Sequence, residues 1–95
     1  MTAKAQLPKV RLSWTDNKSA LIELLYALHY QGSFNNGNAD IKEIAIYFET
    51  IFNVDLGQYR RTFLEIRDRK SDKTKFINSL EKELLKRMEE TDESF

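Results

Sequence analysis

Residues 56–70, LGQYRRTFLEIRDRK, constrain the fold more than any other stretch. Leu56, Tyr59, Phe63 and Ile66 recur at helical spacing and form one apolar stripe. The remaining positions carry Arg60, Arg61, Arg67, Arg69 and Lys70 against only Glu65 and Asp68. The pattern predicts one amphipathic helix with an apolar back and a basic front. Such a helix needs a small core to lie on, and it leaves a cationic face in solvent.

The rest of the chain supplies that core. Ninety-five residues make one domain. The chain is read as a flexible arm over 1–9, a helical domain over 10–90 and an acidic, disordered tail over 91–95. Val10, Leu12 and Trp14 alternate with polar residues, which suits a short strand facing inward. Thr15 or Asp16 then starts a first helix that runs to about Tyr30, with Gly32 as its C-terminal cap. Leu21, Leu24, Leu25 and Leu28 form its stripe, widened by Ala20, Ile22 and Ala27, so this helix is expected at the centre of the core. Ser33 and Phe34 are placed to bridge to the Val10–Trp14 strand. Asn36-Gly37 marks a turn tolerant of positive φ.

Asp40 and Glu43 have capping-box spacing and open a second helix, about Ile41 to Phe52. Its apolar face is Ile41, Ile44, Ala45, Phe48, Ile51 and Phe52, with Ile46 left among the polar residues. Asp55 is placed to cap the third helix. A fourth runs from Lys73 or Thr74 to Glu90, with Phe76, Ile77, Leu80, Leu84 and Met88 in its stripe and Leu85 at the edge. The fold expected is mainly α: four helices and a minimal β element, arranged as a helix-turn-helix or winged helix.

Charge narrows the function classes. The net charge is zero, but its distribution is not even. Residues 1–18 carry net +3, residues 19–59 net −4, residues 60–80 net +4 and residues 81–95 net −3. A fold that gathers the two basic blocks presents a basic face on a neutral protein. There is no cysteine, hence no disulfide framework and no thiolate metal site. No apolar run reaches the length of a membrane span. The N-terminus lacks a signal-like apolar core, so a cytoplasmic protein is expected.

Catalytic signatures are missing. No G-x-S-x-G, P-loop or HExxH occurs, and the acids show no metal-ligand spacing. His29, the single histidine, sits at the edge of the first helix's apolar stripe and reads as structural. No enzyme, cofactor, metal or small-molecule substrate is expected.

Two helices and a short turn with arginines on the second is a helix-turn-helix layout. The compact version fits badly. With Ala45 at the small-residue position, the tight-turn position falls on Glu49, inside the second helix. That leaves a looser, winged-helix-like relative, or no helix-turn-helix at all. On a helical projection Arg60 and Arg67 lie together, Arg61 lies with Asp68, and Leu64 falls between the two rows. The plain alternative pairs Arg61 with Glu65 on a solvated surface, where such pairs contribute little. Arg69, Lys70, Lys73 and Lys75 carry the basic block past the helix, as contacts to phosphates require.

Three stretches resemble the RteC family: residues 14–29, WTDNKSALIELLYALH; residues 34–45, FNNGNADIKEIA; and residues 59–70, YRRTFLEIRDRK. Thr74-Lys75-Phe76 and the fourth helix, ending Lys86-Arg87-Met88, are similar as well. The resemblance implies a regulator carried on conjugative transposons with tetracycline resistance in gut anaerobes. Members bind DNA upstream of excision genes and activate transcription. They have two domains, the C-terminal one winged-helix-like, and this chain resembles that part only.

Combined, these readings give a DNA-binding domain whose third helix enters a major groove of double-stranded DNA. Arg60, Arg61 and Arg67 are the candidates for base or near-base contacts. Arg69, Lys70, Lys73 and Lys75 are the candidates for phosphates, with Lys4, Lys9 and Arg11 as an electrostatic arm. The alternative is a small helical interaction or dimerisation module anchored by Ile46, Leu64 and Leu85. Its partner would be a missing N-terminal domain or a second protomer.

Overall fold

A computed structural model describes residues 9–94, with side chains described through residue 90. Four helices follow in order: α1 (Lys18–Gln31), α2 (Ile41–Phe52), α3 (Tyr59–Arg67) and α4 (Lys75–Ser94). A 3₁₀ turn at Asn35–Gly37 links α1 to α2.

The organising element is α1. The 3₁₀ turn, α2, α3 and α4 all pack their backbones against α1. Its sequence explains this. Leu21, Ile22 and Leu25 are fully buried, with Ala20 nearly so. An apolar sector that broad on one helix must be covered from several sides. Each of those three large side chains contributes roughly 1.5–3 kcal/mol by leaving water. Ile44, Ala45 and Phe48 of α2, Ile66 of α3 and Leu56 of the connecting loop complete the cluster.

Local chemistry sets the helix ends. Asn17, one residue beyond the expected Asp16, caps α1 by accepting the Ala20 amide hydrogen at 2.8 Å. At the other end Gly32 adopts φ 79°, a left-handed conformation that a Cβ would strain. Its amide donates to His29 O at 3.1 Å, and that of Ser33 donates to Leu28 O at 3.1 Å. This closes α1 in a glycine-dependent C-cap. Asp40 and Glu43 form the expected capping box, with bonds of 2.8 and 3.0 Å.

Three expectations need correction. No strand forms among the described residues. Val10 and Leu12 are 84% and 68% exposed rather than inward, and no bridge joins residues 10–14 to Ser33 or Phe34. A strand needs a ladder partner, and here the Trp14 amide donates instead to Phe52 O at the end of α2, at 2.8 Å. Trp14 itself is half-buried, its ring 5.9 Å from Phe52 and 5.7 Å from Phe76.

The third helix is shorter than its pattern, nine residues from Tyr59. Asp55 does not cap it; its carboxylate accepts the Gly57 amide hydrogen at 2.9 Å and shapes the loop instead. Leu56 stays buried, but in that loop.

Among the described side chains of α4, Phe76 and Ile77 alone are half-buried against the body. Leu80, Leu84 and Met88, expected in the core, are 42%, 57% and 52% exposed. The backbone of α4 runs to Ser94. Residues 1–8 and Phe95 lie outside the described residues, and with them Lys4 and most of the N-terminal arm. Among the described residues no helix is long and apolar enough to cross a membrane.

Candidate nucleic-acid interface

Packing on α1 decides which side of α3 faces out. Phe63 stacks on Tyr26 of α1, centroids 4.0 Å apart and planes 14° from parallel. Ile66 is buried beside that stack and Tyr59 is half-buried. With Tyr59, Phe63 and Ile66 turned inward, Arg60, Arg61, Leu64, Glu65, Arg67 and Asp68 are exposed. The inward and outward sets are those the helical periodicity predicts.

Two carboxylates on α1 and α2 hold the ends of this region. Glu49 of α2 accepts the Leu56 amide hydrogen at 2.9 Å and so fixes the approach to α3. Glu23 of α1, buried, accepts the amide hydrogens of Phe76 and Ile77 at 3.3 and 2.8 Å. Those amides belong to the first turn of α4 and have no partner within their own helix. A negative group there also suits the helix dipole. Sequence reasoning missed both acids and Tyr26. For Glu23 a signal existed: it is the one charge in the apolar run from Ala20 to Leu28.

The outward cations differ in what holds them. Arg67 donates from Nε to Asp68 Oδ1 at 3.0 Å. Both side chains are about three-fifths exposed, so the pair contributes little. Arg61 makes no ion pair with Glu65. Arg60 lies near Tyr26, and opposed influences act on that phenol. Burial raises its pKa above the usual tyrosine value, while the Arg60 guanidinium acts to lower it, with Tyr59 adding a smaller upward influence.

Past α3 the basic block divides in two. Arg67 and Lys73 line a groove between α1, α3 and α4, walled by Tyr26, Phe63, Ile66 and Ile77. Arg69 and Lys75 instead line a cleft between the starts of α1 and α4, beside Asp16, Asn17 and Glu23. Arg69 is half-buried and donates to Asp72 O at 3.3 Å, across a turn in which Asp72 takes φ 59°. Lys70 and Lys73 are exposed on that turn. Of the N-terminal arm, Lys9 is exposed, and Arg11 donates to Thr50 O of α2 at 3.4 Å. The structure therefore brings Arg60, Arg61 and Arg67 together on α3 and separates Arg69 and Lys75 from them.

Comparison with known proteins gives a family. The family model described as RteC protein matches residues 1–92, nearly the whole chain. No curated protein and no solved structure matches it.

Proposed function

The chain belongs to the RteC family, and from that premise we propose that it is the DNA-binding domain of a transcriptional regulator of the conjugative-transposon kind. In this reading α3 lies in a major groove. The observation that carries it is the outward face of α3. Three guanidiniums are exposed there on a helix whose apolar back is locked to α1. Nine residues span about 13 Å, enough to cross the groove once.

The roles follow from chemistry and position. Arg60, Arg61 and Arg67 present planar forks that match guanine O6 and N7 or the flanking phosphates. Leu64, exposed between them, suits a thymine methyl. Lys70 and Lys73 on the 68–74 turn meet phosphates in the place a β wing would hold, and Arg69 and Lys75 reach the backbone from the adjoining cleft. The function is non-catalytic and cytoplasmic, where the DNA is.

The salt dependence of binding to a pooled random duplex tests this reading. About five neutralised phosphates give a log–log slope of affinity on salt near −4 to −5. A slope near zero, or no binding at low salt, refutes it.

A second reading, a protein-interaction module, rests on exposed apolar residues: Ile46, Leu64 and Leu85 are 52%, 45% and 54% exposed. Heparin separates the two. A DNA-binding domain is retained at low salt and released by about 0.3 M; an interaction module alone is not retained.

A further inference from the structure

The outer side of α2 carries a groove that the DNA reading leaves unused. Ile44 and Phe48, both buried, lie at its base, and Phe34, Tyr47 and Ile51, all exposed, line its sides. Phe34 stands edge-on to Phe48, ring centroids 6.2 Å apart. The space is about 350 Å³, at the small end of the range for ligand sites. It shares no lining residue with the groove between α1, α3 and α4 or with the cleft at Arg69 and Lys75.

Local structure preforms this groove. Phe34 sits in the connection between the glycine-closed end of α1 and the 3₁₀ turn, where a Cβ on Gly32 would lie 3.5 Å from the Gly37 Cα. The capping box of Asp40 and Glu43 fixes the start of α2 beside it. A site held in shape before binding loses less affinity to ordering.

Charge says what the groove accepts. Residues 19–59 hold five acids, and Lys42 is their one Lys or Arg. Glu43 is the one charged residue in the lining, which contains no Lys, Arg or His. Glu43 Oε1 accepts the Asp40 amide hydrogen at 3.0 Å, which orients the carboxylate and leaves its charge in place. An anion, a DNA phosphate included, is repelled here. A cation on an apolar body is attracted both by the carboxylate and by the aromatic rings.

We propose that the groove binds a small apolar amine, its body against Phe34, Tyr47 and Phe48 and its ammonium on Glu43. A space this size fits one small molecule, whereas a specific protein partner covers about 800 Å² of surface. The proposal stands whether or not the domain binds DNA.

NMR of the isotope-labelled full chain, titrated at neutral pH with 2-phenylethylamine, tests it. The amine is expected to shift amides between Phe34 and Ile51 with a Kd on the order of 1 mM, ordinary for about nine non-hydrogen atoms. 3-Phenylpropionate, the same ring with an anionic head, is expected to bind about tenfold more weakly. Glu43→Gln keeps an oxygen for the Asp40 amide, and at unchanged helicity it is expected to weaken the amine about tenfold. Tyr47→Ala, a change at an exposed site, is expected to weaken amine and acid alike. The proposal is overturned by an amine that shifts no amide in that stretch at about twenty times the expected Kd. Equal affinity for the acid overturns it too, as does Glu43→Gln binding the amine as wild type does.

Discussion

Glu23 on α1 accepts the amide hydrogen of Ile77 at 2.8 Å, across fifty-four positions of sequence. This buried carboxylate caps a helix it does not belong to and fixes where α4 starts. Removing it strands two amide donors at a half-buried helix start. Glu23→Ala is expected to cost about 1–3 kcal/mol in urea denaturation, and Glu23→Gln less, because an amide oxygen still accepts one bond. Equal stability of Glu23→Ala and wild type would contradict the cap.

The distinction between hub and projection is measurable. Leu25 is fully buried in α1, and Leu84 is 57% exposed on α4. Leu25→Ala is expected to cost about 2–5 kcal/mol, while Leu84→Ala at micromolar concentration stays within about 0.5 kcal/mol. Similar losses at both sites would place α4 in the core.

Alkaline pH reports the Tyr26–Phe63 stack. Burial holds the Tyr26 pKa above 10.0, the ordinary value it regains on unfolding. Between those two values the folded state binds more protons than the unfolded state, so stability falls as pH rises. The contribution is full below pH 10 and is lost as pH climbs through the folded pKa. Tyr26→Phe keeps the stacked ring without the hydroxyl, and its stability is expected to lose this downward slope above pH 10. Thermal unfolding of both proteins from pH 8 to 11 checks it; parallel curves would contradict the assignment.

Sequence patterns located α1, the start of α2 and the outward face of α3 because local chemistry decides them. Gly32 closes α1, Asp40 with Glu43 opens α2, and the spacing of Tyr59, Phe63 and Ile66 orients α3. The failures at residues 10–14 and along α4 are non-local, and the one at Asp55 is local. Val10, Leu12 and Trp14 alternate as a strand does, but alternation cannot say whether a ladder partner exists. Asp55 has the right residue type for a cap, yet its carboxylate turns to Gly57. The stripe on α4 reads as a core face because periodicity is blind to which surface covers it. The exposure of Arg60, Arg61 and Arg67 on the outer side of α3 was legible from periodicity alone. The carboxylates of Glu23 and Glu49, which place α4 and the approach to α3, act across the fold and were not.

Contacts to single bases and contacts to phosphates respond differently to mutation. Arg67→Ala is expected to weaken binding to a preferred site by about 1–3 kcal/mol, with relaxed choice at one base pair. Lys73→Ala is expected to weaken all sequences alike and to reduce the salt slope by about one. Selection from a randomised duplex library with each variant checks both; a loss of only a few tenths for Arg67→Ala would remove it from base contact.

The central claim is that the outward face of α3 meets DNA. The most direct test is fluorescence anisotropy of a pooled duplex library at two salt concentrations, wild type beside Arg60→Ala/Arg67→Ala, with circular dichroism on both. The account predicts that wild type binds and weakens with salt. The double variant should lose most of its affinity while keeping its helix content. Equal binding by the two proteins, or no binding by wild type at low salt, would contradict it.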